Sequence, residues 1–197
     1  MDRKRIPSFI TGARMVLSPL SFMFLVFPER LGGRAASAIV LWALFIIIEL
    51  SDLFDGMAAR RYGAVSDFGK VFDPFADSFS RLSYFAAFMA IGRMPAIAFL
   101  LVLYRDLLVS FGRLLMAKRG VSMPARLSGK LKAVAYAVAG FLGLARETAA
   151  AFAPLAALEP ALGLAALAAF WVCAAVAVWT ALDYLLSIRA YLKKHPS

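Results

Sequence analysis

Four aspartates, Asp52, Asp55, Asp73 and Asp77, fall close together in a chain that is otherwise mostly hydrocarbon. Their spacing points to chemistry. On a helix, Asp52 and Asp55 stand at i, i+3 and share a face. Gly56 leaves that face open for a ligand, and Arg60, eight residues from Asp52, returns to a similar side. Further on, Gly69, Asp73 and Asp77 repeat at i, i+4, i+8, a single stripe again topped by a glycine. The short turn RRYGAVS makes the two segments antiparallel neighbours, so the stripes can face each other. Asp67, directly after Ser66, reads instead as a carboxylate at a helix start.

Carboxylates that converge in a partly dehydrated place repel one another, and they take up protons unless cations neutralise them. The chain has one histidine, His195 in the tail, and one cysteine, Cys173 in an apolar run. These counts exclude an intrachain disulfide and a cysteine metal cluster, and they disfavour histidine acid–base chemistry. The cation that fits is hard and oxygen-liganded, namely Mg²⁺, Mn²⁺ or Ca²⁺, the kind of ion that bridges phosphate oxygens. A proton or cation pathway through the same aspartates is the competing reading.

The elements that must position these groups are membrane helices. Of the 197 residues, 62% are hydrophobic and 17% charged, which a soluble domain of this length does not need. Six apolar segments are visible, at about 7–27, 35–60, 66–91, 95–117, 128–144 and 162–186. Most are long enough to cross a hydrocarbon core of roughly 30 Å. Pro28, Pro95, Pro124 and Pro160 lie near their borders. Residues 145–160 read either as an extension of the fifth segment or as an interfacial turn. The basic N-terminus with its apolar run reads as a retained first span rather than a cleaved signal.

Net charge is +10. The basic residues lack the aromatic interleaving that grips nucleic acid, so no nucleic-acid partner is expected. Their distribution instead sets an orientation. Fourteen Lys and Arg fall at 3–5, 60–70, 118–132 and 189–194, against Arg30, Arg34, Arg93 and Arg146 on the other side. By the positive-inside rule, both termini and the aspartate-rich loop are cytoplasmic. Arg14, Arg81, Arg105 and Arg113 lie within predicted spans, where charge is costly and lines polar cavities. The expected fold is an all-α integral membrane protein of six transmembrane helices, a single domain over 1–197.

The aspartate stretch reads D-x-x-D-G-x-x-A-R-x8-G-x3-D-x3-D, with Asp52, Asp55, Gly56, Ala59, Arg60, Gly69, Asp73 and Asp77 at its defined positions. It resembles the signature of the CDP-alcohol phosphatidyltransferase family. The resemblance implies a six-helix membrane fold, usually dimeric, with the active site at the cytoplasmic face of, here, a bacterial inner membrane. It implies transfer of a phosphatidyl or similar phospho group from a CDP-linked lipid such as CDP-diacylglycerol to an alcohol, with release of CMP. By the same resemblance, Asp52, Asp55 and Asp73 coordinate divalent metal, Mg²⁺ or Mn²⁺, as two ions, and Asp77 is general base and further metal contact. Gly56 and Gly69 let the nucleotide approach the backbone, Ala59 is small for the same reason, and Arg60 neutralises pyrophosphate or else anchors the helix at the cytoplasmic surface.

Other stretches resemble bacterial phosphatidylglycerophosphate synthases. IPSFITGARMVLSPL is similar to an opening that often reads IPN-L-T-x-x-R, with Pro7, Thr11 and Arg14 matching and Ser8 in place of Asn. GRMPAIAFLLVLYRDLLVSFGR is similar to their fourth helix, with Arg105–Asp106 where Arg-Glu is common. SGKLKA is similar to Gly-Lys-x-Lys-Thr, with Ala133 in place of Thr. Ser78 stands where Lys commonly follows the fourth aspartate.

The cations outside the motif favour a phosphorylated acceptor, glycerol-3-phosphate ahead of inositol phosphate. Arg105 and Arg113 are eight apart and share a broad helix face, while Lys130 and Lys132 start the fifth helix. Arg suits bidentate phosphate contact and a helix N-terminus favours an anion. Lys130 and Lys132 read equally as positive-inside anchors, and Arg105 also reads as a partner of Asp106. Finally, Glu49 lies one turn deeper than Asp52 and Arg81 one turn deeper than Asp77. Antiparallel helices bring them to one depth, which predicts a buried Glu49–Arg81 ion pair or, alternatively, an Arg81–Asp77 pair at i+4.

Overall fold

The computed structural model describes residues 6–62, 67–118 and 127–194; at 6–11, 52–62, 67–71, 192 and 194 it describes backbone alone. The described chain is all-helical. Its α-helices are α1 (Ile6–Val26), α2 (Gly33–Tyr62), α3 (Asp67–Ala90), α4 (Ala96–Lys118), α5 (Leu127–Ala151) and α6 (Glu159–Lys194). Two 3₁₀ turns, Pro28–Leu31 and Ala153–Leu158, follow α1 and α5. The shortest α-helix has 21 residues, about 30 Å of rise.

Local chemistry explains the borders. Gly32 and Gly33 adopt φ of 99° and 90°, which only glycine tolerates without strain, and so close the turn into α2. Pro28 opens the first 3₁₀ turn, Pro95 immediately precedes α4, and Pro160 sits at the start of α6. Pro124 lies outside the described residues. The fifth segment differs from its expected end at 144, because α5 continues to Ala151. Residues 145–160 are thus both things the sequence allowed, a helix extension and then a turn. The Arg146 Nε–H donates to Glu159 Oε1 at 2.8 Å across that turn.

Helix α1 packs on both α2 and α3, α5 lies along α6, and α4 rests on α6 and α3. Aromatic rings from three helices fill the centre. Phe85 meets Tyr84, Tyr136 and Phe170 edge-on, and Phe88 tilts against Phe170. Small residues let α5 come close. A Cβ on Gly143 would stand 2.6 Å from the Phe88 ring, and one on Gly140 would stand 2.9 Å from Phe45. Glycine at helix contacts is the usual device for close approach in membranes.

The described helices bury charged residues beside the aromatic core and turn large apolar side chains outward. Arg81, Arg105, Asp106 and Lys132 are all buried, while Val16, Ile39 and Leu164 are about two-thirds or more exposed. That pattern suits a lipid surround. By length and composition alone, Gly33–Ser51, Leu127–Ala151 and Ala153–Tyr191 can each cross a membrane, and Gly12–Val26 is a shorter apolar stretch. Helices α3 and α4 fall short of that measure for a physical reason. They carry charges within their length, part-buried Asp77 and buried Arg81 on one, buried Arg105 and Asp106 on the other.

Candidate active site

The two aspartate stripes fall on α2 and α3 as the spacing predicts. The side chains of Asp52, Asp55, Ala59 and Arg60, with Gly56 and Gly69, lie outside the described residues. Asp73 and Asp77 are described, one turn apart and both part-buried. Among the described residues no three acidic, histidine or cysteine side chains cluster as a metal site. Half of the expected donor set, Asp52 and Asp55, falls outside that description. What remains is a carboxylate pair on one helix face, of the hard-oxygen chemistry that Mg²⁺ or Mn²⁺ requires.

Asp77 lies in a chain of charges. Its Oδ1 stands 3.1 Å from Arg81 Nε, and its Oδ2 stands 3.8 Å from Lys132 Nζ. Arg81 Nη2–H donates to Glu49 Oε2 at 3.1 Å, and Nη1–H to the Ala133 carbonyl at 3.1 Å. The two alternatives for Arg81 are therefore both realised. One guanidinium, 4% exposed at its side chain, pairs with Glu49 and Asp77 together. Glu49 and Arg81 do reach one depth, because α2 and α3 run antiparallel. Phe45 against Tyr84 continues the same contact one turn further along.

The chain continues through Lys132. Its ammonium lies 3.4 Å from both Asp106 oxygens and 5.1 Å from the centre of the Tyr136 ring. Asp106 also accepts from Arg105 Nη1 at 2.7 Å and from the Ser78 hydroxyl. Arg105 Nε–H donates to Thr180 Oγ1 on α6 at 2.9 Å. Glu49, Asp77 and Asp106 thus face Arg81, Lys132 and Arg105, three negative charges against three positive. Such a balanced network is what makes buried charge tolerable.

The cations proposed for an acceptor phosphate separate in the structure. Lys132 is buried, whereas Lys130 is exposed. Two residues apart on a helix point to different sides, so these lysines cannot act as a pair. Arg105 is tied to Asp106 and Thr180. Arg113 is part-buried, and its Nε has no hydrogen-bond partner among the described residues. Of the three that are part-buried or buried, Arg105 and Lys132 are both committed to Asp106, and Lys132 also stands beside Asp77. Ser78 draws notice in sequence as a departure from the usual Lys, and the structure gives it a partner in Asp106. Thr180 and the Ala133 carbonyl carry no sequence signal, since an apolar helix shows no pattern for a single hydrogen bond to a distant arginine.

Comparison with known proteins now bears on the site. A family model described as CDP-alcohol phosphatidyltransferase matches residues 4–182. A Treponema pallidum protein named CDP-diacylglycerol–glycerol-3-phosphate 3-phosphatidyltransferase is 35% identical over 156 residues, 75% of this chain and 72% of that protein. A Mycobacterium tuberculosis protein named probable phosphatidylglycerophosphate synthase is 35% identical over 134 residues, 68% of this chain and 63% of its own length. A Rickettsia typhi protein with the same name as the Treponema one is 32% identical over 129 residues, 66% of this chain and 70% of its own. These similarities favour transferase chemistry over an ion pathway as the use of the aspartates.

Proposed function

This chain belongs to the CDP-alcohol phosphatidyltransferase family, and from that premise we propose that it transfers the phosphatidyl group of CDP-diacylglycerol to glycerol-3-phosphate. The products are phosphatidylglycerophosphate and CMP. The observation that carries this reading is the complete eight-position signature from Asp52 to Asp77, set on two successive helices, α2 and α3. The names of the similar proteins and the cations around Asp77 support a phosphorylated acceptor.

The acceptor hydroxyl attacks the lipid-linked phosphorus, and its proton passes to Asp77. The bond from that phosphorus to the CMP oxygen breaks, and CMP leaves with the electron pair. Asp77 Oδ1 is engaged by Arg81, which leaves Oδ2, on the Lys132 side, as the oxygen available for the proton. Lys132 and Arg113 supply positive charge for the acceptor phosphate. By the signature alone, Arg60 would neutralise the pyrophosphate, and the small residues Gly56, Ala59 and Gly69 would leave room for the nucleotide. Asp52, Asp55, Asp73 and Asp77 are the carboxylates that would hold two divalent ions. Bound there, Mg²⁺ or Mn²⁺ neutralises the pyrophosphate and stabilises the leaving CMP.

We place all six helices across a bacterial inner membrane as one domain over 1–197, with both termini and the aspartates on the cytoplasmic side, and the protein as a homodimer. The excess of Lys and Arg at that end supports the orientation. The donor lipid then reaches the site sideways from the cytoplasmic leaflet.

The test is an acceptor panel. Purified protein is incubated with labelled CDP-diacylglycerol, Mg²⁺ or Mn²⁺, and glycerol-3-phosphate, inositol phosphate or neutral alcohols, and lipids are resolved by chromatography. Metal-dependent CMP release with glycerol-3-phosphate alone supports the proposal. A different preferred acceptor corrects the substrate, and no CMP release with any acceptor overturns the reading.

A further inference from the structure

Each of the three nitrogens of the Arg81 guanidinium meets a different helix. Nη2–H goes to Glu49 on α2, Nη1–H to the Ala133 carbonyl on α5, and Nε lies against Asp77 on α3 itself. Two of these contacts lie away from the aspartate stripe. A planar fork held at two corners has its third corner fixed in space. The Asp77 carboxylate is therefore oriented by partners that belong to none of the eight signature positions.

We propose that Arg81 is a positioning residue for the transfer reaction. Anchored on Glu49 and the Ala133 carbonyl, it pins Asp77 Oδ1 and turns Oδ2 toward Lys132 and the acceptor hydroxyl. This rests on the transferase reading and adds to it a residue outside the signature. Neighbouring geometry agrees. Arg81 is one turn from Asp77 on the same helix, so the contact needs no rearrangement of α3. Ser78, the residue right after Asp77, is turned to Asp106 and offers no charge to the carboxylate. With Arg81 removed, Lys132 is the only cation described beside Asp77, and it is shared with Asp106.

A merely structural salt bridge and a positioning residue predict different outcomes for one double variant. Glu49→Met with Arg81→Met replaces the buried pair by apolar side chains of similar length, a change that folds tolerate well. Unfolding midpoints and steady-state kinetics with CDP-diacylglycerol and glycerol-3-phosphate are measured on purified protein in micelles. The proposal expects the midpoint to be kept, kcat to fall about 100-fold as for a misplaced catalytic group, and the donor KM to stay unchanged. A double variant with both midpoint and kcat like the parent overturns it.

Arg81→Lys provides a second measurement that keeps the charge in place. A lysine ammonium cannot span all three partners, so kcat falls part of the way, between parent and double variant. Parent-like kcat in Arg81→Lys also overturns the proposal. A parent protein that releases no CMP overturns the transferase reading itself, whereas an active parent with an indifferent Arg81 overturns the positioning role alone.

Discussion

Lys132 on α5 holds its ammonium 3.4 Å from both carboxylate oxygens of Asp106 on α4. This contact joins the part of the charge network that touches Asp77 to the part that reaches α6 through Arg105 and Thr180. Removing either partner would leave the buried network with one charge in excess.

Asp106→Asn is accordingly expected to destabilise the protein by about 3–5 kcal/mol, because Arg105 and Lys132 both lose their shared anion in a dry interior. Equilibrium unfolding in mixed micelles measures it. Asp106→Glu, which keeps the charge, should recover most of the loss.

The reaction reading makes a demand on Asp77. Asp77→Asn should lower kcat by about 10²–10⁴-fold, the usual contribution of a positioned base. Asp55→Asn should abolish CMP release through loss of metal, and chelation should silence the parent protein until Mg²⁺ or Mn²⁺ is restored. Titration of CMP release against added metal in each variant separates the two effects.

Helix approach at Gly143 makes a prediction about packing. Gly143→Ala puts a methyl 2.6–2.9 Å from three atoms of the fully buried Phe88 ring. The overpacking should cost about 1–3 kcal/mol. Phe88→Leu in the same chain should return part of it, a coupling that a double-mutant cycle reads directly.

At the opposite end of the bundle, Trp42 Nε1–H donates to Thr148 Oγ1 at 2.8 Å and ties α2 to the extended part of α5. Thr148→Val keeps the shape and removes the acceptor. It should cost about 1 kcal/mol, measured by thermal unfolding.

Orientation can be read by labelling. Cys173 is buried, so in a Cys173→Ser background a cysteine at Leu155, exposed in the second 3₁₀ turn, should react with an impermeant maleimide on intact cells. One at Lys193, exposed near the end of α6, should react only after permeabilisation. The reverse pattern would invert the proposed topology.

Much of the candidate site is legible from residue order, because a helix is local. Spacing at i, i+3 and i+4 puts Asp52 with Asp55 and Asp73 with Asp77 on faces of single helices, and the apolar runs delimit the first four helices to within a few residues. Two ends fall short, 186 where α6 runs to Lys194 and 144 where α5 runs to Ala151; the second falls where Arg146, Glu147 and Thr148 interrupt hydrophobicity without breaking the helix. Their polar groups are satisfied by Glu159, Arg93 and Trp42, all distant in sequence or across a turn.

The choice of partner for each charge is a different matter. Depth along antiparallel helices suffices to predict that Arg81 meets Glu49 or Asp77, but not that one guanidinium serves both. Lys130 and Lys132 look alike in the sequence and end on opposite fates, one exposed and one enclosed by Asp77, Asp106 and Tyr136. By itself the sequence determined the helices and the carboxylate stripes, which depend on spacing along a single element, and the family's signature, which is read from residue order across α2 and α3. Only the tertiary structure decided which cation holds which carboxylate, because that depends on how α2, α3, α4 and α5 rotate against one another, a rotation set by ring packing and close glycine contacts across the whole bundle.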